Sequence, residues 1–266
     1  MHPILNIATL AAKQAGEFIA DQLNHIDQLN IQEKGRHDYV SEVDKRAEKI
    51  IIDCIRKYYP DHSIKAEESG HHQTESDFEW IIDPLDGTTN FLHQFPVFSV
   101  SIAVTEKGRL MHGVIYDPLK DECFSASRGE GARMNNYRIR VSEQSTLQNA
   151  LMATGIPFQE LDYVDAYLAS LKQFMLNTAG IRRAGSAALD LAYVACGRVD
   201  GYWELNLKPW DIAAGALIVQ EAGGLVTDFK GGNDYLKSGN LIAANSKMLK
   251  AMAKIIGQTI PEQYRQ

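Results

Sequence analysis

Cysteine is scarce in this sequence, and its few copies form no recognisable pair. The three cysteines, Cys54, Cys123 and Cys196, are odd in number, far apart in the chain and embedded in apolar sequence. Disulfide frameworks and zinc sites are built instead from cysteines at characteristic spacings. We therefore expect three buried free thiols in a reducing cytoplasm.

Long apolar runs and clusters of basic residues are also missing. No stretch approaches the roughly 18 uncharged apolar residues of a membrane span, so we expect no membrane insertion. The first residues lack a basic segment followed by an apolar one, which argues against a secretion signal. The formal net charge of −7 disfavours direct contact with nucleic acid. An acidic chain can still act on anionic phosphates if bound cations reverse the local field.

The rest of the composition is that of a globular protein with a substantial core. The chain has 266 residues, 45% hydrophobic and 23% charged, and shows no linker or internal repeat. Apolar periodicity predicts helices over residues 3–23 and 41–58. Strand patterns then follow one another directly over 98–141, which predicts an antiparallel sheet. From 151 to 256, strand and helix patterns alternate.

Two polar segments are predicted to be loops. Residues 29–39 are polar around Gly35, and residues 71–77 follow an acidic pair. His71 and His72 are expected at the surface, because no metal-ligand spacing connects them to other candidates.

The stretch from Trp80 to Phe91 carries the strongest chemical pattern in the chain. A short apolar run predicts a buried strand, and Asp83 and Asp86 stand where it should end. Gly87 permits a sharp bend, and Thr88 offers a hydroxyl and a free N–H if a helix starts there. Carboxylates beside such an anion site suggest Mg²⁺ bound together with a phosphate. The same residue types are also common in ordinary turns, without any ligand.

Other candidate acids have an equally simple structural interpretation. Asp44 falls in the first turn of the second predicted helix, where it could form a capping pair with Ser41. Asp211 falls in the first turn of a later helix, where an acid favours the helix dipole. Gly185 and Ser186 could be a plain helix cap. The residues alone leave these alternatives open.

Three separated fragments, in this order, resemble one protein family. They are Glu67-Glu68-Ser69, the stretch from Trp80 to Phe91, and Pro209 to Gly215 continuing to Glu221-Ala222-Gly223-Gly224. Together they resemble the inositol monophosphatases, within the wider Mg²⁺-dependent, Li⁺-sensitive sugar phosphatases. The resemblance covers nearly the whole chain and is closest to a bacterial branch associated with the transcription antitermination machinery.

The resemblance implies an α+β fold, a layered α-β-α-β-α sandwich. Residues 1–145 would form an α+β half with an antiparallel sheet and the metal motif. Residues 146–266 would form an α/β half with a smaller mixed sheet that completes the active site, without a flexible linker, so that both halves act as one unit. One departure is Asn136, where the family commonly has glycine, and asparagine tolerates the same left-handed turn.

The resemblance also implies roles for individual residues. The first Mg²⁺ would be held by Glu67, Asp83 and the Leu85 carbonyl, the second by Asp83, Asp86 and Asp211, and a third, weaker one near Glu67 through waters. Glu67 and Thr88 would position the attacking water, with Asp44 hydrogen-bonded to Thr88. Substrate contacts would come from Asp86, Gly87, Thr88, Gly185, Ser186, Ala187, Glu204 and Asp211.

The activity implied is Mg²⁺-dependent hydrolysis of myo-inositol monophosphate to inositol and phosphate by a metal-activated water, with Li⁺ as an inhibitor. Alternative substrates are fructose 1,6-bisphosphate, a nucleotide 3′-phosphate or another sugar phosphate. An alternative of a different class is an antitermination partner that contacts RNA polymerase or Nus factors through protein surfaces. A homodimer and a cytoplasmic location are also expected.

Overall fold

Two β-sheets lie between three layers of helices in the computed structural model, which describes residues 2–28, 31–35, 38–156 and 162–265. The helices are α1 (Pro3–Gln22), α2 (Glu42–Tyr58), α3 (Thr88–Leu92), α4 (Val164–Asn177), α5 (Ala187–Ala195), α6 (Pro209–Glu221), α7 (Tyr235–Ser238) and α8 (Ser246–Thr259), with 3-10 turns at Leu23–Gln28 and Glu262–Tyr264.

The strands divide between the two sheets and one separate hairpin. They are β1 (Ile31–Gly35), β2 (Asp38–Ser41), β3 (Ser63–Ala66), β4 (Gly70–His72), β5 (Phe78–Asp86), β6 (Ser99–Glu106), β7 (Arg109–Asp117), β8 (Glu122–Ser127), β9 (Gly131–Met134), β10 (Tyr137–Arg138), β11 (Leu151–Thr154), β12 (Gly180–Arg182), β13 (Gly201–Glu204), β14 (Leu225–Thr227) and β15 (Leu241–Ala244).

The first sheet has eight strands in the order β10-β9-β8-β7-β6-β5-β3-β4. The strands between residues 98 and 141 pair antiparallel, as predicted. The sheet departs from the antiparallel arrangement that the resemblance implied for residues 1–145 only where β3 runs parallel to β5. Seven of the eight residues of β6 are buried, because helices α1 and α2 cover one face of the sheet and α5 and α6 the other.

The second sheet has five strands in the order β12-β11-β13-β15-β14 and is mixed, as expected. Its inner face packs on α5 and α6, and its outer face packs on α4 and α8. The five layers are held together by three apolar cores, of which the central one covers both sides of the α5 and α6 layer. The α-β-α-β-α sandwich is confirmed.

The central helix layer packs closely because glycines remove side chains at its contacts. A Cβ built on Gly113 of β7 would lie 2.9 Å from the Ala214 carbonyl oxygen in α6. A Cβ on Gly215 would lie 2.5 Å from the Leu191 Cβ in α5. The start of α6 is thereby held against the first sheet, where β5 ends.

Three local expectations are corrected. The predicted loop at 29–39 contains the hairpin strands β1 and β2, and the predicted loop at 71–77 begins with the short strand β4, whose residues are exposed as expected for both histidines. The strand pattern expected to reach Val141 ends at Arg138. Asn136 has φ of 70°, which confirms the left-handed turn. No helix among the described residues is long and apolar enough to cross a membrane.

Candidate active site

The end of β5 turns sharply into α3. The Asp83 carboxylate accepts a hydrogen bond from the Leu85 N–H at 2.9 Å, which bends the chain around Pro84. The ladder to β6 is irregular between Asp83 and Asp86. Gly87 follows with φ of 99°, a conformation that suits glycine. The predicted carboxylates therefore stand at the strand end, as their spacing suggested.

Helix α2 contributes an acid from the opposite side of this turn. Thr88 donates its hydroxyl to the Asp44 Oδ1 at 2.9 Å and also lies 3.1 Å from the Leu85 carbonyl oxygen. Asp44 is buried in the first turn of α2. The contact that the resemblance implies between Asp44 and Thr88 is therefore present in the structure.

Asp86 connects the turn to the start of α5. Its Oδ2 accepts hydrogen bonds from the Ser186 hydroxyl at 2.5 Å and the Ala188 N–H at 2.8 Å. Ser186 is also the N-cap of α5, accepting from the Leu189 N–H at 3.3 Å. Burial raises the pKa of Asp86 to about 6, against the lowering effect of these hydrogen bonds. Ser186 therefore both caps α5 and contacts Asp86.

Asp211 lies in the first turn of α6, which opens with Pro209. Its Oδ2 accepts a hydrogen bond from the Lys208 N–H at 2.8 Å. Asp211 therefore stabilises the start of the helix, as its position in the first turn predicted. Burial, and then the neighbouring Asp86 and Glu67 carboxylates, raise the pKa of Asp211 well above its usual range.

Four carboxylates interact at this place. Burial, followed by the charges of Glu67, Asp86 and Asp211, raises the pKa of Asp83 well above its usual range. Such crowding of hard oxygen donors suits a divalent cation such as Mg²⁺. No group of three or more His, Cys, Asp or Glu side chains within the described ranges is arranged to hold a metal ion as it stands. Asp86 and Asp211 each direct one oxygen at a protein donor instead.

A pocket of about 140 Å³ opens beside these acids. It brings together the substrate-contact candidates of the second half with Asp86. Of the other predicted residues, Asp44, Glu67, Asp83, Leu85, Gly87 and Thr88 are not among its lining. The pocket is lined by Asp86, Gly155, Arg183, Gly185, Ser186, Ala187, Asp190, Glu204, Leu207 and Asp211.

Glu204 stands at the end of β13 and faces the pocket. It accepts a hydrogen bond from the Tyr202 hydroxyl. Its carboxylate rests directly against Gly155, where a Cβ would fall 1.8 Å from the Glu204 Oε1. Burial raises the pKa of Glu204 to about 7, although Tyr202 and Arg183 act in the opposite direction.

Several residues of this region were not found from the sequence. Asp190 and Arg183 line the pocket together with Gly155. Glu48 is 3% exposed and accepts hydrogen bonds from the N–H groups of Glu68 and Ser69 at 2.8 and 2.9 Å, which fixes the loop after β3. The i, i+4 spacing of Asp44 and Glu48 on one helix face was a signal that could have found Glu48.

Asn90 ties the two halves of the site together. Its side-chain amide donates to the carbonyl oxygens of Val97 at 2.7 Å and Ala184 at 2.8 Å. The turn after β5 is thereby attached to the segment that opens α5. This attachment holds the acids of the first half next to the pocket residues of the second half.

Comparisons with known proteins agree with this geometry. Residues 1–260 match the model of the inositol monophosphatase family. The chain is 51% identical over 253 residues to the Nus factor SuhB of Escherichia coli K12, covering 95% of each. It is similar to the structure of the extragenic suppressor protein suhB from Bartonella henselae, with a TM-score of 0.95 and 45% identity, covering 97% of this chain and 100% of that one.

A further similar structure is the inositol monophosphatase from Anabaena, with a TM-score of 0.84 and 38% identity, covering 98% of this chain and 97% of that one. The match to the family model spans nearly the full length of the chain, including every residue of the candidate site. The chain belongs to the inositol monophosphatase family.

Proposed function

We propose that this protein is a Mg²⁺-dependent phosphomonoesterase that hydrolyses a small polyol monophosphate, of which myo-inositol monophosphate is the first candidate. Its membership of a phosphatase family supports this assignment. The observation that carries it is a pocket whose lining brings Asp86 and Asp211 together with Glu204.

The cation would be held by the carboxylates that raise one another's pKa. Glu67, Asp83 and the Leu85 carbonyl are the donors proposed for one ion, and Asp83, Asp86 and Asp211 for a second. A third, weaker ion near Glu67 is part of the same proposal. Bound in this way, two ions would supply Lewis-acid stabilisation of charge and an acidified water. Li⁺ is expected to inhibit through the same donors.

The remaining groups of the turn have positioning roles. Because the Thr88 hydroxyl donates its hydrogen bond to Asp44, the lone pairs of its oxygen are free to accept a hydrogen bond from the attacking water. Glu67 is proposed as the second residue that positions this water. The Gly87 and Thr88 N–H groups are proposed donors to the phosphate. Gly185, Ser186 and Ala187 are proposed to border the leaving group, with Glu204 accepting from one of its hydroxyls.

The size and polarity of the pocket favour a polyol as the leaving group. A volume of about 140 Å³ is small beside the roughly 300–1,000 Å³ of common ligand sites. The lining is rich in acids and nearly free of apolar side chains, which suits hydroxyls better than a nucleobase. Another sugar phosphate of similar size is the alternative substrate.

Phosphate release from inositol 1-phosphate tests this proposal. Turnover should be absent with excess EDTA, return with added Mg²⁺ and fall with added Li⁺. Failure to release phosphate from inositol 1-phosphate, fructose 1,6-bisphosphate or a nucleotide 3′-phosphate at any Mg²⁺ concentration would reject it.

A second candidate function is participation in transcription antitermination. Relatives 49–52% identical are described as Nus factors or putative Nus factors in several bacteria. We propose that this role, if it extends to this chain, works in the cytoplasm through protein contacts with RNA polymerase or Nus factors, because the net charge of −7 disfavours direct RNA binding. A pull-down with the intact protein that recovers neither would reject it.

We also propose a homodimer in which the segments 1–145 and 146–266 of each chain act as one unit. Residues from both segments line the pocket. Light scattering checks the oligomeric state, and cooperative single-step unfolding checks that the segments do not separate.

A further inference from the structure

Asp190 is a buried acid to which neither the family comparison nor the sequence motifs assigned a role. It lies in the first turn of α5 and is 2% exposed. It nevertheless lines the pocket, so the little surface it retains faces the space where a substrate would bind. A carboxylate in such a place is costly unless something compensates for its lost hydration.

No hydrogen bond from the described part of the chain reaches the Asp190 carboxylate, in contrast to the other acids of the pocket. Asp86 accepts from Ser186 and Ala188, Asp211 from Lys208, and Glu204 from Tyr202. Each of these carboxylates is therefore fixed by the protein itself. Asp190 alone among the four presents both oxygens without such a donor.

The electrostatic surroundings favour a neutral donor opposite Asp190. Burial, and then the charges of Glu204 and Asp86, raise the pKa of Asp190 well above its usual range, with Arg183 acting in the opposite direction. A second anionic group would add to this repulsion. A hydroxyl adds a hydrogen bond without adding negative charge, and it can pair with either protonation state of the acid.

We propose that Asp190 is a specificity-determining residue that hydrogen-bonds a free hydroxyl of a polyol leaving group. The inference rests on the proposed phosphatase function and deepens it by naming a residue that selects the leaving group. The selected substrate is a monophosphate whose leaving group carries a free hydroxyl. A substrate without that hydroxyl leaves a buried polar group unpaired, and sites of this kind discriminate strongly against such analogues.

The test compares two substrates in the intact protein with Mg²⁺. Inositol 1-phosphate carries hydroxyls beside the ester, and 4-nitrophenyl phosphate carries none. Asp190→Leu removes both oxygens and keeps the branching at Cγ. We expect kcat/KM for inositol 1-phosphate to fall about 10- to 100-fold, with less than a threefold change for 4-nitrophenyl phosphate. An equal fall for both substrates in a folded variant would overturn the inference and leave the phosphatase assignment standing.

Two further variants keep the test decisive. Asp190→Asn retains one acceptor oxygen and should keep at least a third of the wild-type preference for inositol 1-phosphate, even if Asp190→Leu does not fold. Loss of that preference in a folded Asp190→Asn would also overturn the inference. Asp165→Asn is the matched control, because this exposed acid occupies the first turn of α4 and loses the same helix-dipole interaction away from the pocket. If the wild type hydrolyses neither substrate, the phosphatase assignment itself fails.

Discussion

The acids at the two ends of the pocket reach it by different routes. At the end proposed for the cation, Asp86 lines the pocket and Asp83 lies behind it, both from one contiguous stretch that closes β5. At the end proposed for the leaving group, Asp190 lies on α5 and Glu204 on β13, and Gly155 lies against Glu204. The first end thus starts from a local motif, to which Asp211 is added from α6, whereas the second is assembled wholly by packing of separate elements.

This difference predicts that substitutions at the two ends have different effects on activity. The carboxylates at the cation end raise one another's pKa, so they act as a unit and the loss of one disturbs the others. At the other end, Glu204 accepts a hydrogen bond from Tyr202, and Asp190 is left to contact a substrate hydroxyl in the inference above. Changes at the first end should therefore abolish turnover on every substrate, and changes at the second should alter the choice among substrates.

The largest effect is expected for Asp86→Asn. The variant keeps an acceptor for the Ala188 N–H but loses a charge and a hard oxygen donor, so kcat should fall about 100- to 1,000-fold on polyol and aryl phosphates alike. Steady-state phosphate release with both substrates measures this, with circular dichroism to verify the fold. Near wild-type turnover would show that Asp86 belongs to neither the cation site nor the reaction.

A smaller loss of activity is expected for Glu48→Ala, which acts on the cation end through the loop that carries Glu67. Without the Glu48 carboxylate, the part-buried N–H groups of Glu68 and Ser69 lose their acceptor. We expect about 2 kcal/mol lower free energy of unfolding and about 10- to 100-fold lower kcat. Urea denaturation and phosphate release measure the two effects.

Glu48→Gln is the matched control for this variant, because it retains one acceptor oxygen and should lose only part of both quantities. If Glu48→Ala lowers stability but leaves kcat unchanged, Glu48 supports the fold without positioning the loop.

Gly155→Ala should affect the leaving-group end alone. The added methyl group would overlap the Glu204 carboxylate, so Glu204 must move away from its position against residue 155. We expect KM for inositol 1-phosphate to rise about 10-fold while kcat/KM for 4-nitrophenyl phosphate changes less than threefold. Michaelis–Menten measurements with both substrates check this. Equal losses on both substrates would show that the two ends of the pocket do not act separately.

The smallest effect on activity is expected for His112, which lies in β7 outside the pocket. It is buried, stacks on His2 and shares a hydrogen bond of 2.9 Å with Ser127. Burial lowers its pKa to about 4. Because the unfolded chain titrates near 6.5, the stability present above that pH is lost as the pH falls towards 4.

From pH 7 to pH 5, we expect the wild type to lose about 2 kcal/mol more unfolding free energy than His112→Gln, with no difference in kcat at pH 7. Urea denaturation at both pH values measures this. His93→Gln, at an exposed histidine, should instead follow the wild type, and identical pH dependence of His112→Gln and the wild type would contradict the assignment.

The contrast between the two ends also explains what the sequence could predict. The strand that closes with Asp83 and Asp86, the glycine bend at residue 87 and the Pro209 start of α6 all follow from local chemistry, and each was predicted. The Asp44–Thr88 contact spans 44 residues and was available only through family resemblance.

Asp190 and Gly155 could not be found in this way, because their significance depends on which elements pack together. Nothing in the local sequence of Gly155 indicates that Glu204 will lie against it. The hairpin at residues 31–41 was missed for another reason. Its strands are short and polar and lack the apolar alternation on which strand prediction depends.

The crowded carboxylates at the end of β5 are proposed to form a cation site that drives turnover. Calorimetric titration of Mg²⁺ into chelator-treated protein tests it most directly, with wild type and Asp86→Asn measured side by side. We expect the wild type to bind Mg²⁺ over the concentration range in which phosphate release appears, and Asp86→Asn to bind at least about 10-fold more weakly. Undiminished Mg²⁺ binding by Asp86→Asn, or full wild-type turnover in excess EDTA, would contradict the claim.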